Sequence, residues 1–304
     1  MRIPVVLDTD IGTDIDDTWA LVMLLRSPEL DPRLVLTATG DTTYRARVAC
    51  KLLETAGRTD VPVGVGVPSE AGAEYQAPWV DGYRLESYPG SVHEDGVGAL
   101  IETVRSSVDL VTIIAIGPAT NLRRAIEIAP DVAAKCRIVG MYGSIDRGYG
   151  PGSAPVRESN VRNDVEALRA VFAAGWDDVL ITPLDTCDDA VLRGERFSRI
   201  RDADDELLRA LMENYREWSK LVPWTNVTFT EERSSTLFDT VAVYLAISED
   251  RFDVESMRIS VTGDGRTVRD ETGFPIRVAI RWTNLEGYLD HLTERLLGDD
   301  RRMQ

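Results

Sequence analysis

Short β-branched runs of strand length alternate with longer helical patterns along most of this chain. The segments IPVVLD, RLVLTATG, VPVGVGV, DLVTIIAIG, CRIVGMYG and DDVLITPLD are almost continuously apolar, as strands buried on both faces are. Between them DDTWALVMLLRS, YRARVACKLLETAG, ATNLRRAIEIA and DVEALRAVFAAG carry helical spacing. This order predicts an α/β fold: an open, mostly parallel, Rossmann-like sheet flanked by helices. No repeat, low-complexity tract or Gly/Ser linker interrupts it, so residues 1–304 are expected to form one domain.

In open parallel sheets, ligands bind beyond the carboxyl ends of the strands, so the active site is expected there. The polar clusters obey that rule. DTDIGTDIDD ends the first run, GDTT the second, GPATN a middle one and PLDT a later one. Asp, Gly, Thr and Asn are also ordinary turn and capping residues, which accounts for any one cluster taken singly. It does not account for Asp8, Asp10, Asp14, Asp16 and Asp17 within ten residues. Carboxylates that close repel one another unless a cation or a shared proton offsets the repulsion.

Charge and composition narrow the partners. Acidic residues number 51 against 34 basic ones, a net charge of -17, so a nucleic-acid backbone would be repelled over most of the surface. Lys51, Lys135 and Lys220 are the only lysines, which leaves few candidates for lysine-dependent chemistry. Cys50, Cys136 and Cys187 are odd in number and widely spaced, which suggests neither a disulfide framework nor a zinc site and favours a reducing cytoplasm. There is no signal-peptide pattern and no apolar stretch of about 18 residues, so a soluble, unexported protein is expected.

Three readings of the aspartate cluster compete. An EF-hand loop wants Gly sixth and Glu twelfth, but Gly12 is fifth from Asp8 and Trp19 is twelfth. A phosphotransferase of the haloacid dehalogenase type also opens with a strand and D-x-D, and GDGRTVRD at 263–270 suits its later acidic motif. Against it, Gly12 stands where Thr or Val is expected, and no lysine is well placed.

The third reading takes in further motifs: TATGD at 37–41, AIGPATNL at 115–122, GMYG at 140–143, ESNVRNDVEA at 158–167 and LFDTVAVYL at 237–245. In this order, after DTDIGTDIDD, they resemble the calcium-dependent nucleoside N-ribohydrolases, the inosine-uridine-preferring nucleoside hydrolase family. DTDIGTDIDD is a form of that family's D-x-D-x-G-x-D-D with two extra residues. The resemblance implies hydrolysis of the N-glycosidic bond of ribonucleosides by direct, inverting attack of water, with Asp10 as general base. It implies Ca²⁺ held by Asp10, Asp17, Asp239 and the carbonyl of Ile116, a set that suits a hard cation taking six to eight oxygens. Asp16, Asp41, Glu158 and Asn160 are implied to bind ribose hydroxyls, with Met141 beneath. Asp8 is expected to support the ligand loop, and Asp14 to be a solvated insertion residue.

Two departures from the family stand out. Asp41 replaces the Asn that commonly follows the second strand, losing amide donors and adding charge. Phe238 takes the place of a His that can protonate the leaving base. Of the two histidines, His93 falls where family members often have a substrate-contacting loop His, and His291 reads as a terminal-helix residue. Tyr215, Trp218 and Trp224 fall near the family's base pocket, where aromatic faces could stack on a nucleobase, although helical spacing fits Tyr215 and Trp218 to a core equally well. The resemblance favours a homodimer or homotetramer. The alternatives are the phosphotransferase and a non-catalytic nucleoside- or sugar-binding protein; retention of Asp10 argues against the latter.

Overall fold

A computed structural model describes residues 2–70, 72–224 and 229–298, with backbone alone for Phe229. The apolar runs become β1 (Ile3–Thr9), β2 (Leu30–Thr37), β3 (Val63–Val65), β5 (Val111–Ala115), β6 (Cys136–Met141) and β7 (Asp178–Thr182). Four strands join them that the sequence reading did not identify: β4 (Val92–His93), β8 (Phe252–Val261), β9 (Thr267–Arg269) and β10 (Phe274–Trp282). All ten lie in one sheet in the order β4-β3-β2-β1-β5-β6-β7-β10-β8-β9. From β4 to β10 neighbours run parallel, and only β10–β8 and β8–β9 are antiparallel.

Successive residues of a strand face opposite sides, and β1 shows what that does here. Leu7 joins an apolar cluster with Trp19, Val22, Leu53, Tyr215 and Val241, while Val6 joins one with Leu36, Leu100, Ile113, Leu122 and Phe172. Helices cover both faces, which is why these strands read as unbroken apolar runs.

The C-terminal strands escaped notice because they do not read that way. In β8 half-buried positions alternate with exposed ones over Glu255–Arg258, in β10 a buried middle is flanked by exposed ends, and cross-strand ion pairs such as Arg281 to Asp253 and Glu255 line the outer face. GDGRTVRD lies in this region, running from the β8–β9 turn through β9, with Asp264 exposed and Asp270 half-buried. The acidic motif that suited a phosphotransferase is therefore hairpin, capping and pairing chemistry, remote in the sheet from β1.

Strand order reverses at β1, which has β2 on one side and β5 on the other. A crevice opens at such a switch point beyond the carboxyl ends of the strands. Asp8–Asp10 and Ile116 stand at those two ends.

Candidate active site

Two helices deliver the acidic groups. Asp16 and Asp17 form the first turn of the helix Asp16–Leu25, and Asp239 lies in the first turn of Phe238–Leu245. The residues preceding these helices, Ile15 and Leu237, make no side-chain cap, so unpaired backbone N–H groups and the helix dipoles favour negative charge there. Carboxylate oxygens of Asp16, Asp17 and Asp239 lie within 4.8 Å of one another, and all three residues are buried. Thr9 Oγ1 donates to Asp17 and accepts from Ile11 N at 3.0 Å, tying the end of β1 to the helix.

Around the triad is a cavity of about 140 Å³ lined by Asp10, Asp14, Ile116, Met141, Glu158, Asn160 and Phe238, with Thr13, Tyr149, Ser159 and Trp224. The approach of β5 to the β1 loop is close: a Cβ on Gly117 would stand 2.8 Å from the nitrogen of Asp10. Asn160 Nδ2 donates to the carbonyls of Ile116 at 2.9 Å and Met141 at 3.1 Å, which leaves its amide oxygen as the group it can offer a ligand. Glu158 caps the short helix Ser159–Asn163, accepting from Asn160 N at 2.6 Å and Gly143 N at 3.1 Å.

Burial raises every one of these carboxyl groups. It pushes Asp8 and Glu158 up to about 7 and Asp14 up to about 6. Asp16, Asp17 and Asp239 are driven well above the ordinary range by burial first and then by neighbouring carboxylates, Asp14 acting on Asp16, Asp10 and Asp16 on Asp17, and Asp16 and Asp17 on Asp239; Asp16 and Asp239 share a hydrogen bond. For Asp10 burial is opposed by the guanidinium of Arg45. Asp8 Oδ1 accepts from Asn121 Nδ2 at 2.7 Å, while the buried Oδ2 has no partner among the described residues. An all-oxygen donor set whose members cannot all ionise without a counter-charge fits a hard divalent cation.

The structure thus brings together Asp10, Asp16, Asp17, Ile116, Met141, Glu158, Asn160, Phe238 and Asp239. Two expected contacts fall elsewhere. Asp41 does not line the cavity: it is exposed, and its Oδ1 accepts from Thr43 N and Tyr44 N, both at 2.9 Å, as N-cap of the helix Thr42–Thr55. His93 sits exposed in the edge strand β4, paired with β3, and does not line the cavity. Asp14, expected to be a solvated insertion residue, is partly buried on the cavity wall.

Of the aromatics, Tyr215 and Trp218 are core residues, stacked on each other and buried. Trp224 is 60 % exposed and lines the cavity; residues 225–228, which follow it in the expected base-pocket stretch, lie outside the described residues. Tyr149, which the sequence reading passed over, meets Phe238 edge to face at 5.9 Å. No local signal marks it, because GYGPG reads only as a turn.

A sequence profile described as inosine-uridine preferring nucleoside hydrolase matches residues 5–289. The chain is 28 % identical to the pyrimidine-specific ribonucleoside hydrolase RihA of Salmonella arizonae over 97 % of this chain and 99 % of that protein. Its fold is similar to that of a solved plant nucleoside hydrolase, PpNRh1, with a TM-score of 0.81 at 24 % identity, covering 98 % of this chain and 99 % of that one. It is similar likewise to the purine-preferring ribonucleoside hydrolase from Gardnerella vaginalis, with a TM-score of 0.76 at 21 % identity over 97 % and 99 %.

Proposed function

The chain belongs to the inosine-uridine preferring nucleoside hydrolase family and hydrolyses the N-glycosidic bond of ribonucleosides; from that premise we propose that Asp10 is its general base and Ca²⁺ its metal. The observation that carries the reading is the set of buried carboxylates at the switch point, with Asp16, Asp17 and Asp239 within 4.8 Å of one another. Asp10, Asp17, Asp239 and the Ile116 carbonyl are the proposed ligands. Ca²⁺ in this setting supplies positive charge that orients ribose hydroxyls and acidifies a neighbouring water.

The protein's own groups do the rest. Asp10 takes a proton from the water attacking C1′, and direct attack inverts that centre. Asp16, Glu158 and the amide oxygen of Asn160 accept hydrogen bonds from ribose hydroxyls, and Met141 packs beneath the sugar. Phe238, Tyr149 and Trp224 flank the base. The relatives named above include a pyrimidine-specific and a purine-preferring enzyme, so no base is assigned to this chain.

The tight triad includes Asp16 and omits Asp10, which favours a second arrangement with Asp16 as a ligand. We further propose that residues 1–304 form one domain, supported by the single sheet, and that it works as a homodimer or homotetramer in the cytoplasm. Free, buried Cys50, Cys136 and Cys187 suit a reducing compartment, and among the described residues no helix is long and apolar enough to cross a membrane.

Ribose release from a nucleoside panel and phosphate release from phosphate esters, measured side by side with and without chelator, test the proposal. Ribose alone should appear, chelation should stop it, and added Ca²⁺ should restore it. Asp10→Asn should lower kcat by about 10² to 10⁴. Asp16→Asn should raise KM if Asp16 binds ribose, and weaken calorimetric Ca²⁺ binding if it is a ligand. Full activity in metal-stripped protein defeats the metal assignment.

A further inference from the structure

The loop that carries Asp10 is held by its carbonyl groups. The carbonyls of Asp10 and Ile11 accept from Arg45 Nη1, the latter at 2.9 Å; that of Gly12 accepts from Tyr44 Oη at 3.0 Å. Trp218 Nε1 donates to Thr13 O at 3.1 Å and Gln76 Nε2 to Asp14 O at 2.6 Å. Five consecutive carbonyls are thus each bound by a side chain from another segment. A loop two residues longer than the family's usual form would otherwise have those carbonyls to satisfy with water or its own backbone.

Arg45 makes the most of these contacts. It is 2 % exposed, and its other bonds run from Nε to Thr39 O at 2.7 Å and from Nη2 to Thr13 Oγ1 at 2.8 Å. Thr39 has φ 58°, a left-handed conformation that a β-branched residue adopts only under constraint, so the guanidinium also fixes a strained turn after β2. A Cβ on Gly72 would come within 2.8 Å of Nη2, so the third side of the arginine is closed by backbone as well.

All four hydrogen bonds go to neutral oxygens, and among the described residues Arg45 has no carboxylate salt-bridge partner. A buried cation without an ion pair is costly unless its field is used. The negative groups nearest in effect are Asp10 and Asp17, both of which feel its charge. Asp8, Asp10, Asp14, Asp16, Asp17 and Asp239 together exceed the charge of one divalent ion, and Arg45 adds a third positive charge to the balance.

Resting on the assignment of Asp10 and Ca²⁺ above, we propose that Arg45 is a positioning residue of this reaction: its fork holds the Asp10–Thr13 loop in register with Asp17 and Asp239, and its fixed charge keeps the acidic cage assembled. A guanidinium can bridge several carbonyls from one plane, whereas an ammonium is a single point donor. Arg45→Lys therefore keeps the charge and loses the fork, and Arg45→Met loses both.

Calorimetric Ca²⁺ titration without substrate, hydrogen exchange over residues 10–17 and steady-state kinetics on the full chain test this. Arg45→Lys should weaken Ca²⁺ binding about 10- to 100-fold, the size of effect typical for residues that orient metal ligands. Its loop amides should exchange faster, and kcat should fall more than KM rises because the base is displaced while ribose contacts remain. Arg45→Met should be worse on each count. Arg295→Lys, at a buried arginine remote from the cavity, is the control: melting temperature falls, Ca²⁺ affinity holds. If Arg45→Lys does not fold, Thr13→Val, which removes one Arg45 contact, carries the same test with a smaller shift. Wild-type Ca²⁺ affinity and kcat in Arg45→Lys overturn the proposal, whereas absence of Ca²⁺ binding in the wild type overturns the metal assignment instead.

Discussion

Phe238 is the first residue of the helix that carries Asp239, and it faces Tyr149 across the cavity rim. A phenyl group cannot protonate a departing base, so leaving-group activation in this protein falls to stacking, to solvent or to another acid. Phe238→His puts an acid at that position. For nucleosides with poor leaving groups kcat/KM is expected to rise about tenfold or more, within the range general acid catalysis supplies. With 4-nitrophenyl riboside, whose leaving group needs no proton, it should stay unchanged. Measuring both substrates in both proteins decides the matter, since an equal effect on the two means that position 238 is not where the acid acts. Asp41 teaches the reverse lesson at the same scale: its carboxylate starts the helix that presents Tyr44 and Arg45, so its contribution to the cavity passes through those two side chains.

The site depends on how closely whole elements approach. The end of β5 passes the loop after β1 at Gly117, where an added Cβ would stand 2.8 Å from Asp10 N and 3.1 Å from its Oδ1. Those atoms belong to backbone and to the proposed base, so neither can yield without moving the chemistry. Gly117→Ala should lower kcat by about 10²-fold, the scale of an ångström-sized misplacement, and cost about 1–3 kcal/mol of stability from overpacking. Kinetics and thermal melting check it against Gly175→Ala, where a Cβ would meet nothing within 4 Å. If the two substitutions behave alike, the contact between β5 and the loop does not set the position of Asp10.

Across the whole molecule, stability is tied to pH through a residue far from the cavity. His291 packs in the helix Leu285–Leu297 against Tyr244, ring centroids 4.9 Å apart, and its Nε2 has no partner among the described residues. Burial, then the guanidinium groups of Arg295 and Arg251, push the imidazole down from 6.5 to about 4. The unfolded chain takes up this proton near its ordinary pKa and the folded chain does not. Stability from this residue is therefore complete above about pH 6.5, falls as pH drops toward 4, and is lost below that. Between about pH 8 and pH 5 the wild type should lose about 2 kcal/mol more than His291→Gln. Denaturant melts of both proteins in matched buffers measure the difference, since the acidic cage is common to both; parallel pH dependence rules the histidine out.

How much of this was written locally follows from what each feature needs. Strands β1, β2, β5, β6 and β7 were legible because burial on both faces demands unbroken apolar runs, and the fold class followed from their alternation with helices. The strand-end rule located the cluster around Asp10, whereas Asp17, Asp239, Glu158 and Asn160 were legible only through the ordered family motifs; all five line the cavity. The hairpin of β8 to β10 was not legible, because a half-exposed edge alternates charged and apolar residues and looks like surface. Nor was the division between cavity and cap. Asp16, Asp41 and Asp14 are alike as letters; only the arrangement of neighbours makes the first a member of the triad, the second an exposed N-cap and the third a cavity wall. Tyr149 and Arg45 were silent for the same reason: a turn tyrosine and a helix arginine gain their roles from Phe238 and from the carbonyls of Asp10 and Ile11, partners 89 and about 35 residues away that only the folded chain brings within reach.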